Sequence, residues 1–326
     1  MAVDVTDRPP FDVTTVGEVM LRMSVPAGTR LDQAAHLDLT PGGAETNLTG
    51  ALARLGRRCA WVSSLPANAL GRLAANHLRA AGINLEGVVW RKQGRMGAYY
   101  LEFATPPRPT QAIYDRAGSC ASQMGPDDVN WPYLLHTRLL HLSGITPALS
   151  PSCRALTAEA IRRAHAAGVR VSFDINFRQL LWSAEEAAIV LTPLIQDVDL
   201  LLCSFRDAVR VLGCAGTPEQ ALEGLAALSH ARYIVLTLGV EGMIAWDGAR
   251  MLRQPALPVG IVDRLGAGDA LAAGVIHGLL DDDFALGLRY GAALAALALS
   301  QHGDMISTTP EEVAALLVNE SGGLLR

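Results

Sequence analysis

Residues 263–269 read DRLGAGD, and an apolar helical pattern that starts with ALAA follows them without a break. Gly266 and Gly268 leave the amide groups of the first helical turn uncovered, and they permit positive φ angles that turn several N–H groups toward one point. The dipole of the following helix adds partial positive charge at the same place. The stretch therefore predicts a helix over 267–280 with an anion-binding site at its N-terminus.

Asp269 lies inside this predicted anion site. A carboxylate is unfavourable next to an anion unless it takes part in the chemistry there. Accepting the proton of an attacking hydroxyl beside a phosphoryl group is such a part. An Asp after Gly is also a common helix N-cap, so the motif alone leaves both interpretations open.

The chain before this motif alternates short apolar strands with helical patterns. Predicted strands lie at 139–142, 169–173, 198–202 and 233–238. Predicted helices lie at 151–167, 184–195, 205–212, 217–228 and, after the motif, 284–300 and 310–318. Nearly continuous apolar strands separated by helices indicate an α/β fold with a parallel sheet covered on both faces.

The N-terminal third contains a second kind of pattern. A strand at 11–19 and a helix from Gly43 to residue 55 resemble the rest, as do a strand at 59–63 and a helix at 69–81. Between 88 and 114, short alternating segments flank the proline-rich turn 105–109, and no helix fits there. Together with 21–39, these segments predict a small β-sheet appended to the main domain.

Polar residues and glycines follow several of the predicted strands. In a parallel sheet, ligands bind outside the carboxyl ends of the strands. The candidates at that edge are Gly42, Gly43, Ser143, Gly144, Asp174, Asn176, Arg178, Ser204, Gly239 and the 263–269 stretch.

Composition excludes several classes of protein. The formal net charge of −5 argues against nonspecific binding to nucleic acid or to an anionic membrane. The five cysteines are odd in number and never spaced as C-x-x-C, so a zinc site or a disulfide framework is not expected. The first residues lack a signal-peptide pattern, and the apolar run 291–299 is too short to span a bilayer. We expect a cytoplasmic protein.

The segments GGAETN (42–47) and GAGD (266–269) resemble, in this order, the paired signatures of the ribokinase-like (PfkB) sugar kinases. The resemblance covers essentially the whole chain. It implies a single domain over 1–326, a three-layer α/β/α sandwich with a mostly parallel central sheet, and a β-sheet lid formed by about 20–40 and 88–118. It also implies a phosphotransferase that uses ATP and Mg²⁺, and it leaves a dependence on K⁺ open.

Within that family the chain is most similar to 2-keto-3-deoxygluconate kinases. The similar segments are YDRAGS (114–119), HLSGITP (141–147), DINFRQLLW (174–182) and GDM (303–305). They imply phosphorylation of a keto-sugar acid, 2-keto-3-deoxygluconate to its 6-phosphate first of all. The alternatives are fructokinase, 5-keto-2-deoxygluconokinase, nucleoside kinase and a non-catalytic nucleotide-binding relative. Pairing between lid sheets would make the protein a homodimer or a higher homo-oligomer.

The resemblance also assigns roles on the sugar side. Asp269 would activate the sugar hydroxyl, and the backbone of Gly266, Ala267 and Gly268 would form the anion hole for the γ-phosphate. The remaining substrate-binding candidates are Gly42, Gly43, Asn47, Tyr99, Tyr114, Arg116, Asn176 and Arg178.

Two of these candidates, Arg116 and Arg178, distinguish a sugar acid from a neutral sugar. A guanidinium binds a carboxylate through two parallel hydrogen bonds. An ordinary ion pair is the alternative for each arginine. Tyr99 and Tyr114 are equally consistent with a cross-strand pair.

On the nucleotide side, Thr237, Gly239 and Gly242 resemble a phosphate-side turn, although a tight turn into a hairpin fits as well. Where the family often has Asn-x-x-Glu, this chain has Ser204 and Asp207, and Asp207 would position Mg²⁺ through water. Arg264 replaces a common Thr and could contact phosphate.

Overall fold

The computed structural model describes residues 10–104 and 107–318. The strands in these ranges are β1 (Phe11–Val16), β2 (Met20–Val25), β3 (Asp38–Gly42), β4 (Cys59–Val62), β5 (Ser64–Pro66), β6 (Ile83–Asn84), β7 (Val89–Arg91), β8 (Gly97–Glu102), β9 (Gln111–Asp115), β10 (Thr137–Ser143), β11 (Arg170–Asp174), β12 (Leu200–Ser204), β13 (Tyr233–Thr237), β14 (Met243–Trp246) and β15 (Met251–Gln254). The helices there are α1 (Ala44–Arg54), α2 (Ala69–Ala80), α3 (Trp131–Leu135), α4 (Thr146–Leu149), α5 (Pro151–Ala166), α6 (Ala184–Leu194), α7 (Phe205–Arg210), α8 (Pro218–Leu228), α9 (Ala267–Leu280), α10 (Phe284–Leu299) and α11 (Pro310–Val318). None of these helices is long and apolar enough to cross a membrane.

Nine strands form the central sheet, in the order β15-β14-β13-β12-β11-β10-β1-β4-β6. All neighbours are parallel except β13–β14 and β14–β15, which pair antiparallel. The mostly parallel sheet predicted from the apolar runs is therefore confirmed.

Helices cover both faces of this sheet. Successive strand residues point to opposite faces, and apolar residues on both faces pack against helices. In β12, Leu201 packs with α5, α6 and α8, whereas Leu200 and Leu202 pack with α1, α9 and α10. The sequence specifies where several helices begin. Ser183 and Thr217 accept hydrogen bonds from the first turns of α6 and α8 in reciprocal capping boxes. The result is the predicted three-layer sandwich.

A separate four-stranded sheet, here called the small sheet, has the order β3-β2-β8-β9. Strands β2 and β8 are parallel, and the outer pairs are antiparallel. Strands β2, β8 and β9 fall inside the predicted segments 20–40 and 88–118, and β3 extends two residues beyond the first of them, to Gly42. Residues 89–91 differ, because β7 pairs with β5 in a two-stranded sheet of its own. Part of the proline-rich turn, residues 105 and 106, lies outside the described residues.

Candidate active site

A cavity of about 580 Å³ opens at the carboxyl edge of the central sheet, beside the small sheet. The small sheet, the start of α1, the loop after β11, helix α7 and the start of α9 contribute to its wall. The predicted site residues that line it are Gly42, Gly43, Asn47, Tyr99, Tyr114, Arg116, Arg178, Asp207, Gly266 and Asp269. Segments more than 200 residues apart in sequence, such as those of Asn47 and Asp269, thus meet at one place.

Asp269, in the first turn of α9, is buried and hydrogen-bonded. The Asn47 Nδ2 atom donates to Asp269 Oδ2 over 2.8 Å, and Asn47 Oδ1 accepts from the Gly43 amide over 3.3 Å. A side chain at Gly43 would place Cβ 2.2 Å from the Glu18 carbonyl oxygen, so only glycine allows this approach. The GGAETN segment therefore holds the amide that orients the Asp269 carboxylate.

Burial raises the pKa of Asp269 from 3.8 to about 7. The Asn47 hydrogen bond and the positive charge of Arg178 act in the opposite direction, while Asp174 and Glu45 add to the increase. A carboxyl group that titrates near neutrality is a stronger base than an ordinary aspartate once it is ionised. Asp269 can thus accept a proton at neutral pH.

The two glycines before Asp269 serve the anion site in different ways. Gly266 is the N-cap of α9 with φ +78°, and a Cβ there would lie 1.8 Å from the Asp304 carbonyl oxygen. Gly268 is exposed, and nothing lies within 4 Å of the position that a Cβ would take. Gly266 allows the turn to pack closely against the backbone of Asp304, and Gly268 leaves the N-terminus of α9 accessible to a ligand.

A buried polar cluster connects the small sheet to this turn. Tyr99 donates its hydroxyl hydrogen to the Asp304 carboxylate. Arg22 on β2 contacts Asp304 Oδ1 at 2.5 Å through Nη1 and Asp263 Oδ2 at 2.7 Å through Nη2. The sequence reasoning missed Arg22 altogether. The GDM segment at 303–305 was the available signal for Asp304.

Arg116 is already paired inside the protein. Its Nε and Nη2 atoms donate to Glu18 Oε2 at 2.8 and 2.5 Å, and Ser119 donates its hydroxyl hydrogen to the other carboxylate oxygen. Tyr114 stacks on its cross-strand partner Tyr99, with ring centroids 5.5 Å apart. The structural alternatives for Arg116 and Tyr114 thus hold, and both residues still line the cavity.

Arg178 is exposed to the cavity and makes no salt bridge with any residue of the described ranges. Two further arginines on α7, Arg206 and Arg210, also line the cavity, and sequence reasoning missed both. Arg210 donates to Gln179 Oε1 over 2.9 Å. Arg178 therefore presents a positive charge that the protein itself does not neutralise with a direct contact.

Asn176 does not line the cavity, in contrast to its predicted role in substrate binding. Its backbone has φ +38°, and its backbone N–H donates to Asp174 Oδ1 over 3.1 Å. Burial raises the pKa of Asp174 to about 7.

Of the predicted nucleotide-side residues, Asp207 and Gly266 line the cavity, and the others lie outside it. Ser204 caps α7 by accepting a hydrogen bond from the Asp207 amide, and Thr237 ends β13. Gly239 and Gly242, both with positive φ, form the turn from β13 to β14, and Arg264 is exposed.

Asp207 is the predicted metal contact. It is buried, which raises the pKa of its carboxyl group, and it borders the cavity. No group of three metal-binding side chains occurs in the described part of the chain. A single carboxylate beside an open cavity fits Mg²⁺ that is held mainly by phosphates and water.

Comparison with known proteins gives consistent matches. A family model described as pfkB family carbohydrate kinase matches residues 11–312. A 2-dehydro-3-deoxygalactonokinase from Haloferax volcanii is 36% identical over 316 residues, which cover 97% of this chain and 99% of that protein. A crystal structure of 2-dehydro-3-deoxygluconokinase from Thermotoga maritima has a TM-score of 0.88 and 32% identity, over 96% of this chain and 99% of that one. A putative ribokinase II from E. coli, solved with ATP and Mg²⁺, shares the fold with a TM-score of 0.86 at 21% identity, over 94% and 99%.

Proposed function

The chain belongs to the pfkB family of carbohydrate kinases, and we propose that it phosphorylates the 6-hydroxyl of a 2-keto-3-deoxy sugar acid, first of all 2-keto-3-deoxygluconate. Its similarity to kinases of 2-dehydro-3-deoxy sugar acids, in which "2-dehydro" is another name for "2-keto", supports an acid substrate. The observation that carries the proposal is Arg178, a guanidinium on the wall of the cavity that contains Asp269, with no salt bridge to any residue that the structure describes.

Asp269 would act as the general base. The sugar hydroxyl attacks the γ-phosphorus, its proton passes to the Asp269 carboxylate, and the bond from the γ-phosphorus to the bridging oxygen of ADP breaks. Asn47 keeps the carboxylate oriented through the 2.8 Å hydrogen bond. The amides of residues 266–268 would stabilise the transferred phosphoryl group at the helix N-terminus.

Arg178 would bind the carboxylate of the sugar acid. A neutral sugar would leave this guanidinium without a partner, whereas a carboxylate accepts two parallel hydrogen bonds from it. Arg116, whose charge is matched by Glu18, would have the lesser share in this recognition. Tyr99 and Tyr114 would pack against the sugar.

ATP would lie along Ser204, Thr237, Gly239, Gly242 and Arg264, with its γ-phosphate toward Gly266. Asp207 would contact Mg²⁺ through water. When bound, Mg²⁺ neutralises phosphate charge and helps to orient the γ-phosphate.

The test is a coupled ATP-consumption assay with 2-keto-3-deoxygluconate, its C4 epimer 2-keto-3-deoxygalactonate, and fructose. We expect kcat/KM for both acids to exceed that for fructose by at least about 30-fold, since a charged pair is lost with the neutral sugar. The ratio between the two acids decides which of them is the better substrate. A preference for fructose would disprove the sugar-acid proposal.

The small sheet would serve as a lid and as a dimer interface. Its outer strands β3 and β9 have unpaired edges within the sheet, and Ile113 and Leu39 are 57% and 41% exposed. Sedimentation of the wild type and of Ile113→Asp tests the interface. A dimer in the wild type and a monomer in the variant are expected, and a monomeric wild type would disprove it.

A further inference from the structure

Asn176 occupies a backbone conformation that a residue with a side chain rarely adopts. It is one of two non-glycine residues with positive φ in the described ranges, at +38°. The left-handed region brings Cβ close to the following carbonyl oxygen, and such strain persists only where the surrounding structure imposes it. The residue lies two positions before Arg178, in the loop that leaves β11.

The chain before Asn176 is firmly held. The Ile175 amide donates to the Leu202 carbonyl over 3.0 Å, and the Ile175 side chain is fully buried. A Cβ on Gly144 would lie 2.2 Å from the Ile175 carbonyl oxygen, so the neighbouring loop closes directly over this peptide. Asp174 Oδ1 then accepts the Asn176 N–H and fixes the start of the turn.

The chain after Asn176 is held as well. Phe177 is buried, and the Arg210 guanidinium lies over its ring at 5.3 Å. The Leu181 amide donates to the Arg178 carbonyl over 2.9 Å. Because both flanks are anchored in the core, the backbone angles of Asn176 determine where the Arg178 side chain leaves the protein.

We propose that Asn176 is a positioning residue whose left-handed backbone, rather than its amide group, directs the Arg178 guanidinium into the cavity. The side-chain amide of Asn176 makes no hydrogen bond with any described residue, and Asn176 does not line the cavity. Asparagine is, next to glycine, among the residues that enter this region most readily. The inference rests on the proposed recognition of a substrate carboxylate by Arg178.

Two substitutions separate the backbone from the amide. Asn176→Gly removes the amide but allows φ +38°, so kcat/KM for the sugar acid should stay within about threefold of wild type. Asn176→Ala removes the amide and disfavours the turn. It should lower kcat/KM by about 5- to 30-fold, mainly through a higher KM for the acid, as the productive loop conformation becomes less populated.

A double-mutant cycle with Arg178→Ala tests whether Asn176 acts through that arginine. In the Arg178→Ala background, Asn176→Ala should cause little further loss, whereas a general structural role would give additive losses. Equal losses in Asn176→Gly and Asn176→Ala would overturn the proposal, because the amide would then be the active group. A wild-type value for Asn176→Ala, or additive losses in the cycle, would overturn it too.

The same cycle distinguishes this inference from the proposed function. If Arg178→Ala alone leaves kcat/KM for the acid unchanged, recognition of the carboxylate by Arg178 fails, and the positioning role fails with it. If Arg178→Ala impairs the enzyme and Asn176→Ala does not, only the positioning role is wrong.

Discussion

Two regions of the cavity wall each present an arginine, and they treat its charge in opposite ways. Where the small sheet meets the core, Arg116 forms a buried ion pair with Glu18, and Ser119 contacts the second carboxylate oxygen. At the loop after β11, Arg178 is exposed and has no salt bridge within the described residues, although Asp174 and Asp269 lie close enough for its charge to lower the pKa of both. We call the first the paired region and the second the unpaired region.

The difference distinguishes residues that stabilise the fold from residues that take part in the proposed reaction. In the paired region, the charge of Arg116 is matched and its hydrogen bonds are made within the protein, so we expect its main contribution to be structural. In the unpaired region, burial raises the pKa of Asp174 and of Asp269 to about 7. The ionised form of each carboxyl group is therefore unfavourable there. Perturbed ionisable groups at the edge of a cavity are typical of functional sites.

The largest effect is expected from Asp269→Asn in the unpaired region. The variant should retain ATP binding but lose kcat by about 10²–10⁴-fold, since the positioned base is gone. Its melting temperature at pH 8 should not fall, because removal of an unfavourable buried charge offsets the substitution. Steady-state kinetics, ATP titration and thermal unfolding provide the comparison. A near-normal kcat would exclude Asp269 as the base and leave it as the buried acceptor of the Asn47 hydrogen bond.

In the paired region, Arg116→Ala should chiefly affect stability. Removing one partner of a buried ion pair leaves Glu18 uncompensated, and such losses are about 3–5 kcal/mol in the free energy of unfolding. Urea denaturation of the wild type, Arg116→Ala, Glu18→Gln and the double variant measures the coupling between the two residues. A stable Arg116→Ala protein with a greatly raised KM for the acid would instead assign Arg116 to the substrate.

Arg178→Ala is the matched substitution in the unpaired region, and its effect should be on specificity. Loss of a charged contact to the carboxylate costs about 2–5 kcal/mol, so kcat/KM for the sugar acid should fall by about 30- to 5,000-fold. Turnover of fructose should hardly change, and Arg178→Lys should recover only part of the loss. If Arg178→Ala lowers kcat/KM equally for the sugar acid and for fructose, Arg178 does not bind the carboxylate.

The fold was largely predictable because its signals are local. Strands β12 and β13 are apolar up to their last residues, Ser204 and Thr237, and α9 begins at the residue that the GAGD segment indicates. Strands β5 and β6 were missed, and β7 was expected in the small sheet, because strands of two or three residues are too short to show an alternating pattern.

The site was predictable only where a residue type carries its own chemistry, as Asp269 does. The pairing of Arg116 with Glu18 spans 98 residues, and that of Arg22 with Asp304 spans 282. No local pattern encodes such a contact, so the sequence could not tell which arginine would be neutralised. The backbone angle of Asn176 could not be predicted either, because contacts around it come from distant segments, those of Leu202 and Gly144.

The smallest expected effect is a pH dependence that belongs to the unpaired region alone. Burial raises the pKa of Asp269 from 3.8 to about 7, and a protonated carboxyl group cannot accept the proton of the sugar hydroxyl. kcat/KM for the sugar acid should therefore be constant above about pH 8 and decline below pH 7, approaching a tenfold loss per pH unit. The decline should be seen in assays between pH 5.5 and 9.

Neighbouring charges should shift this midpoint in opposite directions, and this provides the control. Asp174 titrates in the same range and raises the pKa of Asp269, so the profile reports the coupled pair. Asp174→Asn removes a negative charge and should move the midpoint to lower pH, whereas Arg178→Ala removes a positive charge and should move it higher. Arg116→Ala, in the paired region, should leave it in place. A midpoint below pH 5 in the wild type, or the same shift for all three variants, would contradict the distinction between the two regions.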